Sequence, residues 1–450
     1  MGAEQLQDAL VALLDGGPDA RVEGLRRLSG GASRETWSFD LVADVSRREL
    51  ILQRLRPGAT ASSSGVGVAT EAGLLRAAAA HGVPVAGVVA SDDGTVLGSP
   101  GMVVERLAGE TIARKLLRDE EWARARERLG AQVGAAAAAI HAIPVAATVG
   151  LQPADQLAQF RTVLDDLGEP HPAFELGFRW LEAHRPAAND PCVIHGDLRL
   201  GNLLVDHDGL RAVLDWELAH VGDPLEDLGW FCVRAWRFGS PLPAGGVATR
   251  EALVVAYEAA SGTTVDLEGL RWWEVLGTLK WGVICVMQAW GHLSGAARSV
   301  ELATIGRRVC ENEWDLLGLL PGGPLARREP PVPERGGALH DRPSVSELVE
   351  AVREWVDHDV RSGTEGRLSF HARVATNALR MVERELALEP DLTRDHLARL
   401  AQLACVDDRA LAARIRSGEL DDRADEVRTL VAASVHDKLL VANPGWLDDD

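Results

Sequence analysis

Two short strings in the middle of the chain carry side chains whose types and spacing can do chemistry. The first is His195-Gly196-Asp197-Leu198-Arg199-Leu200-Gly201-Asn202, and the second is Leu214-Asp215-Trp216-Glu217. An Asp, an Asn five positions later and another Asp closing a short apolar run meet the needs of phosphoryl transfer from a magnesium-bound nucleotide. One carboxylate orients the acceptor hydroxyl or takes its proton. The carboxamide and the second carboxylate offer hard oxygen ligands to Mg²⁺, which neutralises phosphate charge. The apolar runs Val193-Ile194, Leu203-Leu204-Val205 and Ala212-Val213-Leu214 flank these residues, so short strands would bring the intervening loops to one spot. His195 in isolation would read as a core histidine. Polar residues this dense in an apolar context need partners, which favours a site.

Other elements must position these loops. Glu4 to Leu14 reads as a helix. A turn-rich stretch, Ser29-Gly30-Gly31-Ala32-Ser33, leads into the strand-like alternation of Thr36-Trp37-Ser38-Phe39, and Glu49 to Leu55 alternates as the next strand. A Gly/Ser loop from Pro57 to Gly67 precedes a helix from Glu71 to His81, stopped by Gly82 and Pro84. Val85 to Ala90 and Gly101 to Leu107 complete a small mixed sheet. From Ile112 the periods become long and helical, including Glu121 to His141 and Phe174 to His184, and helices resume from Asp223 to about Leu320. Pro321 to Pro343, dense in Pro, Gly and Arg, reads as a linker. Ser344-x-x-Glu347 then forms a capping-box signature ahead of Val345, Leu348, Val349, Val352 and Val356. Arg367 to Leu388 and Thr393 to Cys405 are also helix-like. The divisions expected are 1–107, 108–320, a linker 321–343, and 344–450.

The strings HGDLRLGN and LDWE, with Gly222-Asp223-Pro224 and Asp227-Leu228-Gly229-Trp230, resemble the aminoglycoside phosphotransferase family over about Leu25 to Leu320. The resemblance implies an α+β, bilobal, protein-kinase-like fold: a small β-rich N-lobe and a mainly helical C-lobe. The all-α segment from Arg342 resembles an uncharacterised helical domain that accompanies such chains, and is expected to pack on the helical lobe or to self-associate. The family implies ATP and Mg²⁺ as cofactors. It implies Asp197 as catalytic base or orienter, Asn202 and Asp215 as metal ligands, and His195 as a brace of the catalytic loop. Glu217 would support the metal shell through water, and Asp223 and Asp227 would cap and brace the following helix. Gly30, Gly31 and Ser33 would lay a loop over phosphates. Glu105 and Leu107 would offer hinge backbone to adenine. Glu71 matches the helix acid that pairs the phosphate-binding cation. Kinases place a Lys on the third strand, where this chain has Gln53 and Arg54. Alternation does not decide which of the two faces inward. The resemblance favours Arg54 for the phosphate contact, whereas an inward Gln53 would lose the Glu71 pair.

Composition narrows the partners. The 450 residues are 46% hydrophobic and 25% charged, which suits two or three packed domains and excludes a disordered or collagen-like chain. Lys and Arg number 47 against 67 Asp and Glu, and the resulting −20 disfavours nucleic acid as a partner. Five scattered cysteines, Cys192, Cys232, Cys285, Cys310 and Cys405, form no CxxC pair, so neither a zinc site nor a disulfide framework is expected. A cytoplasmic setting is expected, since the acidic N-terminus lacks a signal-peptide pattern. Ala135 to Ile140 and Trp281 to Trp290 are too short to span a bilayer.

His141 is expected to be packed, and Trp272, Trp273, Trp281 and Trp290 to be core, with some in position to line an acceptor pocket. Asp206 and Asp208 read as a hairpin turn, and Arg373 with Asn377 as an exposed polar stripe. The expected activity is ATP- and Mg²⁺-dependent phosphorylation of a small-molecule hydroxyl. The alternative is a kinase-like nucleotide-binding module acting through its C-terminal helices. The string Gly30 to Trp37 resembles relatives associated with acyl-CoA dehydrogenases more than antibiotic-resistance enzymes, so a hydroxyacyl-CoA or other metabolite is the favoured acceptor.

Overall fold

A computed structural model describes residues 2–448 except 16, 18, 29–33, 44–45, 57–64, 149 and 332–341. The chain divides into two compact units. The first holds residues 1–154 and 186–274, the second 155–185 and 275–450.

The first unit opens with helix α1 (Ala3–Leu13) and strands β1 (Arg21–Arg27), β2 (Arg34–Ala43) and β3 (Ser46–Leu55). Helix α2 (Val68–Ala80), β4 (Val88–Asp92) and β5 (Gly101–Glu105) follow. The five strands form one antiparallel sheet in the order β1-β2-β3-β5-β4. Each face is apolar for its own reason. Leu6 and Leu10 of α1 pack with Phe39, Leu41, Leu50, Leu52 and Val103 on one face. Ile51, Leu55, Met102 and Val104 face the other way and join Val68, Leu74 and Leu75 of α2. The two-residue period of a strand makes this division strict.

After α3 (Ala113–Arg118) comes the long α4 (Ala123–His141). Its alanines keep it slim, and Gly134 lets helix α8 (Arg250–Ser261) approach closely. An added Cβ at Gly134 would stand 2.8 Å from the Leu253 carbonyl oxygen. That close packing brings Tyr257 against His141. The loops that hold Asp197, Asn202 and Asp215 hang between β6 (Cys192–Ile194), the hairpin β7 (Leu203–Asp206) and β8 (Gly209–Val213), and β9 (His220–Gly222). β6 pairs with β9, and β7 with β8. Asp206 accepts from the Asp208 N–H at 2.8 Å in the hairpin turn. Helix α7 (Leu225–Cys232) then crosses behind them, buried at every position.

The second unit takes α5 (Gln156–Leu167) and α6 (Pro172–Ala183) from earlier in the chain. It adds the end of α9 (Leu267–Leu293), then α10 (Val300–Gly306) and α11 (Val309–Leu319). The last helices are α12 (Val345–Trp355), α13 (Gly366–Gln402), α14 (Asp408–Ser417) and α15 (Ala424–Ala442). The Ser344 capping box is present. The two helices expected between Arg367 and Cys405 are one, with Pro390 inside it. The C-terminal helices pack on α6, α10 and α11. Trp290 is 51% exposed, so it is not core as expected, whereas Trp272 is 4% exposed.

Ion pairs tie these segments together. Arg416 of α14 donates to Glu175 of α6 at 2.8 and 3.2 Å. Glu313 of α11 is 1% exposed and accepts from His171 at 3.0 Å and Lys438 of α15 at 3.2 Å. Burial opposes ionisation of Glu313, but Lys438 and His171 outweigh it and hold the carboxyl down at about 2. Burial likewise opposes the charge on His171, and Glu169 and Glu313 raise its pKa. The depressed Glu313 contributes stability above its ordinary pKa that is lost as pH falls toward about 2. The raised His171 contributes stability at low pH that is lost as pH rises through its elevated value. Urea unfolding followed between pH 6 and pH 3 should therefore show a steep acid loss in the wild type. Glu313→Gln should cost on the order of 3 kcal/mol at pH 6 and show a shallower acid slope. Parallel pH profiles would contradict this account.

Candidate phosphoryl-transfer site

The catalytic loop is fixed by one buried carboxylate. Asp227, on α7, is fully buried and accepts from the backbone N–H of His195 at 2.8 Å and of Gly196 at 2.9 Å. His141 lies 3.2 Å from the same carboxylate and 2.9 Å from the Tyr257 hydroxyl. Burial works against the Asp227 charge, yet these donors hold its pKa below the usual carboxylate range. Gly196 is required here. Its φ is +81°, and an added Cβ would meet the Leu218 carbonyl oxygen at 2.4 Å. Asp227 thus holds the loop itself, a role beyond the helix bracing expected of it. Asp223 accepts from Asn189 and from the Leu225 N–H at the start of α7.

His195 is fully buried beneath the loop. Its Nδ1 accepts from the Asp197 N–H at 3.2 Å, so the proton rides on Nε2, which donates to the Leu214 carbonyl at 2.9 Å. Burial lowers its pKa, which keeps the ring neutral. The imidazole therefore ties Asp197 to the segment leading into Asp215.

Asp197 accepts from Trp230 Nε1 at 2.8 Å on Oδ1 and from Asn202 Nδ2 at 2.7 Å on Oδ2. Arg199 Nε sits 3.0 and 3.1 Å from the two oxygens, and its guanidinium lies over the Trp236 ring. A carboxylate has about four lone-pair sites. Each oxygen is thus met twice, with the single Arg199 Nε–H shared between the two. Trp230, Trp236 and His141 were not picked out as site residues in the sequence. Only their distance from the loop in the chain hid them.

Asp215 adopts left-handed backbone, φ +64° and ψ +66°, an uncommon conformation for a residue with a Cβ. Burial, followed by Glu217, Asp197 and Glu71, pushes its pKa up to about 6. Such a crowd of carboxylates suits a divalent cation. The Asn202 nitrogen is committed to Asp197, which leaves its oxygen for a metal. Among the described residues no three His, Cys, Asp or Glu side chains form a metal site of their own. A divalent ion would then draw its other ligands from phosphate and water.

The cation that meets Glu71 is not the one expected. Glu71 is 2% exposed and binds Arg34, the first residue of β2. Arg54 points to the opposite face of the sheet, toward Glu35, directly across from it on β2. Its third guanidinium nitrogen donates to the Leu97 carbonyl at 3.1 Å. The expected Arg54–Glu71 pair is therefore corrected: strand alternation puts Gln53 on the Glu71 side. Gly30, Gly31 and Ser33 lie outside the described residues. Glu105 closes β5 with an exposed side chain, and its N–H is bonded to the Gly87 carbonyl. Leu107 is half-buried just beyond it. Glu217 is 3.8 Å from Arg34 Nε. Among the described residues no helix is long and apolar enough to cross a membrane.

Asp227→Asn tests the loop anchor. A carboxamide offers one acceptor oxygen to three donors. The change should cost about 2–4 kcal/mol in urea unfolding, whereas Tyr257→Phe should cost under about 1.5 kcal/mol. A stable Asp227→Asn would contradict the anchoring role.

Known proteins share parts of this chain. The model of the phosphotransferase enzyme family matches residues 24–273, and residues 362–446 match a domain of unknown function, DUF6285. Acyl-CoA dehydrogenase family member 10 of Mus musculus is 29% identical over 244 residues, 50% of this chain and 22% of that protein. Acyl-CoA dehydrogenase family member 11 of Homo sapiens is 43% identical over 63 residues, 13% of this chain and 8% of that one. The chain thus spans well under two thirds of the curated relatives it matches. A solved structure from Ralstonia eutropha JMP134, provisionally described as an aminoglycoside phosphotransferase, aligns with a TM-score of 0.55 at 22% identity. It covers 69% of this chain and 97% of that one, and it shows the kinase-like fold. With more than half of its residues inside the family model, the chain belongs to the phosphotransferase enzyme family.

Proposed function

We propose that the chain transfers the γ-phosphoryl group of Mg-ATP to a hydroxyl of a small molecule. The observation that carries this reading is the convergence of Asp197, Asn202 and Asp215 on loops pinned by Asp227 and His195. Asn202 and Asp215 would hold Mg²⁺, whose charge offsets that of the phosphates. Asp197 would accept from the acceptor hydroxyl in place of part of the shared Arg199 Nε–H bond and align it for in-line attack. Trp230, Arg199 and Asn202 keep that carboxylate from turning, so its orientation is set before substrate arrives. Arg199 would add positive charge beside the reacting group, its side chain being 26% exposed.

The acceptor class follows less directly. The chain's net charge of −20 would suit a cationic acceptor, but global charge says little about one pocket. The relatives named for the acyl-CoA dehydrogenase family make hydroxyacyl-CoAs worth including beside aminoglycosides, choline, sugars and homoserine. A second reading, a nucleotide-binding module without turnover, is favoured by one observation. Asp197 already accepts from three side chains.

ADP release from Mg-ATP across that panel decides between them. The catalytic reading expects one class to give turnover that Asp197→Asn and Asp215→Ala each reduce by at least about 100-fold. Retained turnover in Asp215→Ala would refute the metal assignment. Tight nucleotide binding with no transfer to any acceptor would favour the binding module.

A further inference from the structure

Two arginines on adjacent strands compete for the role of phosphate-binding cation, and their surroundings differ. Arg54 is 3% exposed and spends all three guanidinium nitrogens within the protein, two on Glu35 and one on the Leu97 carbonyl. It lies on the sheet face that packs with α1, alongside Leu50 and Leu52. Each of its guanidinium nitrogens already donates within the protein, and the sheet stands between it and Glu71.

Arg34 is the opposite case. It opens β2 immediately after Gly30-Gly31-Ala32-Ser33 in the chain, on the face shared by Gln53, Ile51 and Leu55. One side of its guanidinium is bound by Glu71. Its Nε–H is buried and has no hydrogen-bond partner among the described residues, and the nearest carboxylate, Glu217, is 3.8 Å away. Glu71 also accepts from the backbone of Trp216, the residue after Asp215. One carboxylate therefore spans Arg34 and the loop of Asp215. A buried arginine held on one side by Glu71, with an Nε–H that has no partner among the described residues, keeps a donor for a further acceptor.

We infer that Arg34, held by Glu71, is the cation that binds the nucleotide phosphates in this chain, in place of any residue of β3. The inference rests on the phosphotransferase reading above and relocates its phosphate contact from the third strand to the second. Arg54 becomes a cross-strand stabiliser, and Gln53 is the neutral residue that faces the cleft where a cation was expected.

Binding of Mg²⁺ with a non-hydrolysable ATP analogue, measured by titration calorimetry on the full chain, tests this without an acceptor. Arg34→Met should weaken the analogue about 10- to 100-fold, and Arg34→Lys should recover part of that loss. Adenosine, which has no phosphates, should bind both variants as it binds the wild type. Arg54→Met should lower the melting temperature and leave analogue affinity within about threefold. If Arg34→Met does not fold, Glu71→Gln and Arg34→Lys/Glu71→Gln replace it. Both should weaken the analogue, and the second change should add little once Arg34 has lost its tether. Unchanged affinity in Arg34→Met, or a phosphate-specific loss in Arg54→Met, would overturn the assignment. A wild type that binds adenosine but gains nothing from the phosphates would also overturn it. A wild type that binds no nucleotide at all would instead sink the functional reading, and this assignment with it.

Discussion

A carboxylate sealed from water must find donors within the protein, and in this chain that requirement shapes the catalytic loop. Asp227 cannot be solvated, so it draws in the N–H groups of His195 and Gly196 and the ring of His141. Those contacts dictate the loop's path. The path demands glycine at 196, because the chain there runs with positive φ against the Leu218 carbonyl. It also sets the imidazole of His195 between Asp197 and Leu214. Removing the charge of Asp227 would thus loosen the path of the loop that carries His195 and Asp197.

Around this anchor the site carries a surplus of negative charge. Glu71, Asp197, Asp215 and Glu217 crowd together, with Arg34 and Arg199 opposing them. Burial pushes Glu71 upward, with Arg34 pulling the other way, and Asp215 rises to about 6. An arrangement like this is uncomfortable without a cation and comfortable with one. The left-handed backbone at Asp215 adds to the discomfort. Sites built to receive a metal and a polyphosphate share this imbalance, since the missing charges arrive with the ligand.

Much of this was legible in the chain. The spacing of Asp197, Asn202 and Asp215 pointed to one chemistry, and the alternation in Glu49 to Leu55 marked a strand. The Ser344 capping box announced its helix. Three things were hidden, each for a physical reason. Strand alternation separates Gln53 from Arg54 but does not say which face is which; that depends on α1 and α2 covering opposite sides of the sheet. Arg34 was overlooked because its partner, Glu71, lies 37 residues away. His141 and Trp230 carry no local signal, since each acts through a contact made only by the folded chain.

The most direct test of the central claim is a crystal structure of the full chain with Mg²⁺ and a non-hydrolysable ATP analogue. The account predicts metal density against the Asn202 and Asp215 side chains, with the terminal phosphate facing Asp197. A nucleotide seated away from Asp197, or a metal that ignores Asp215, would contradict it.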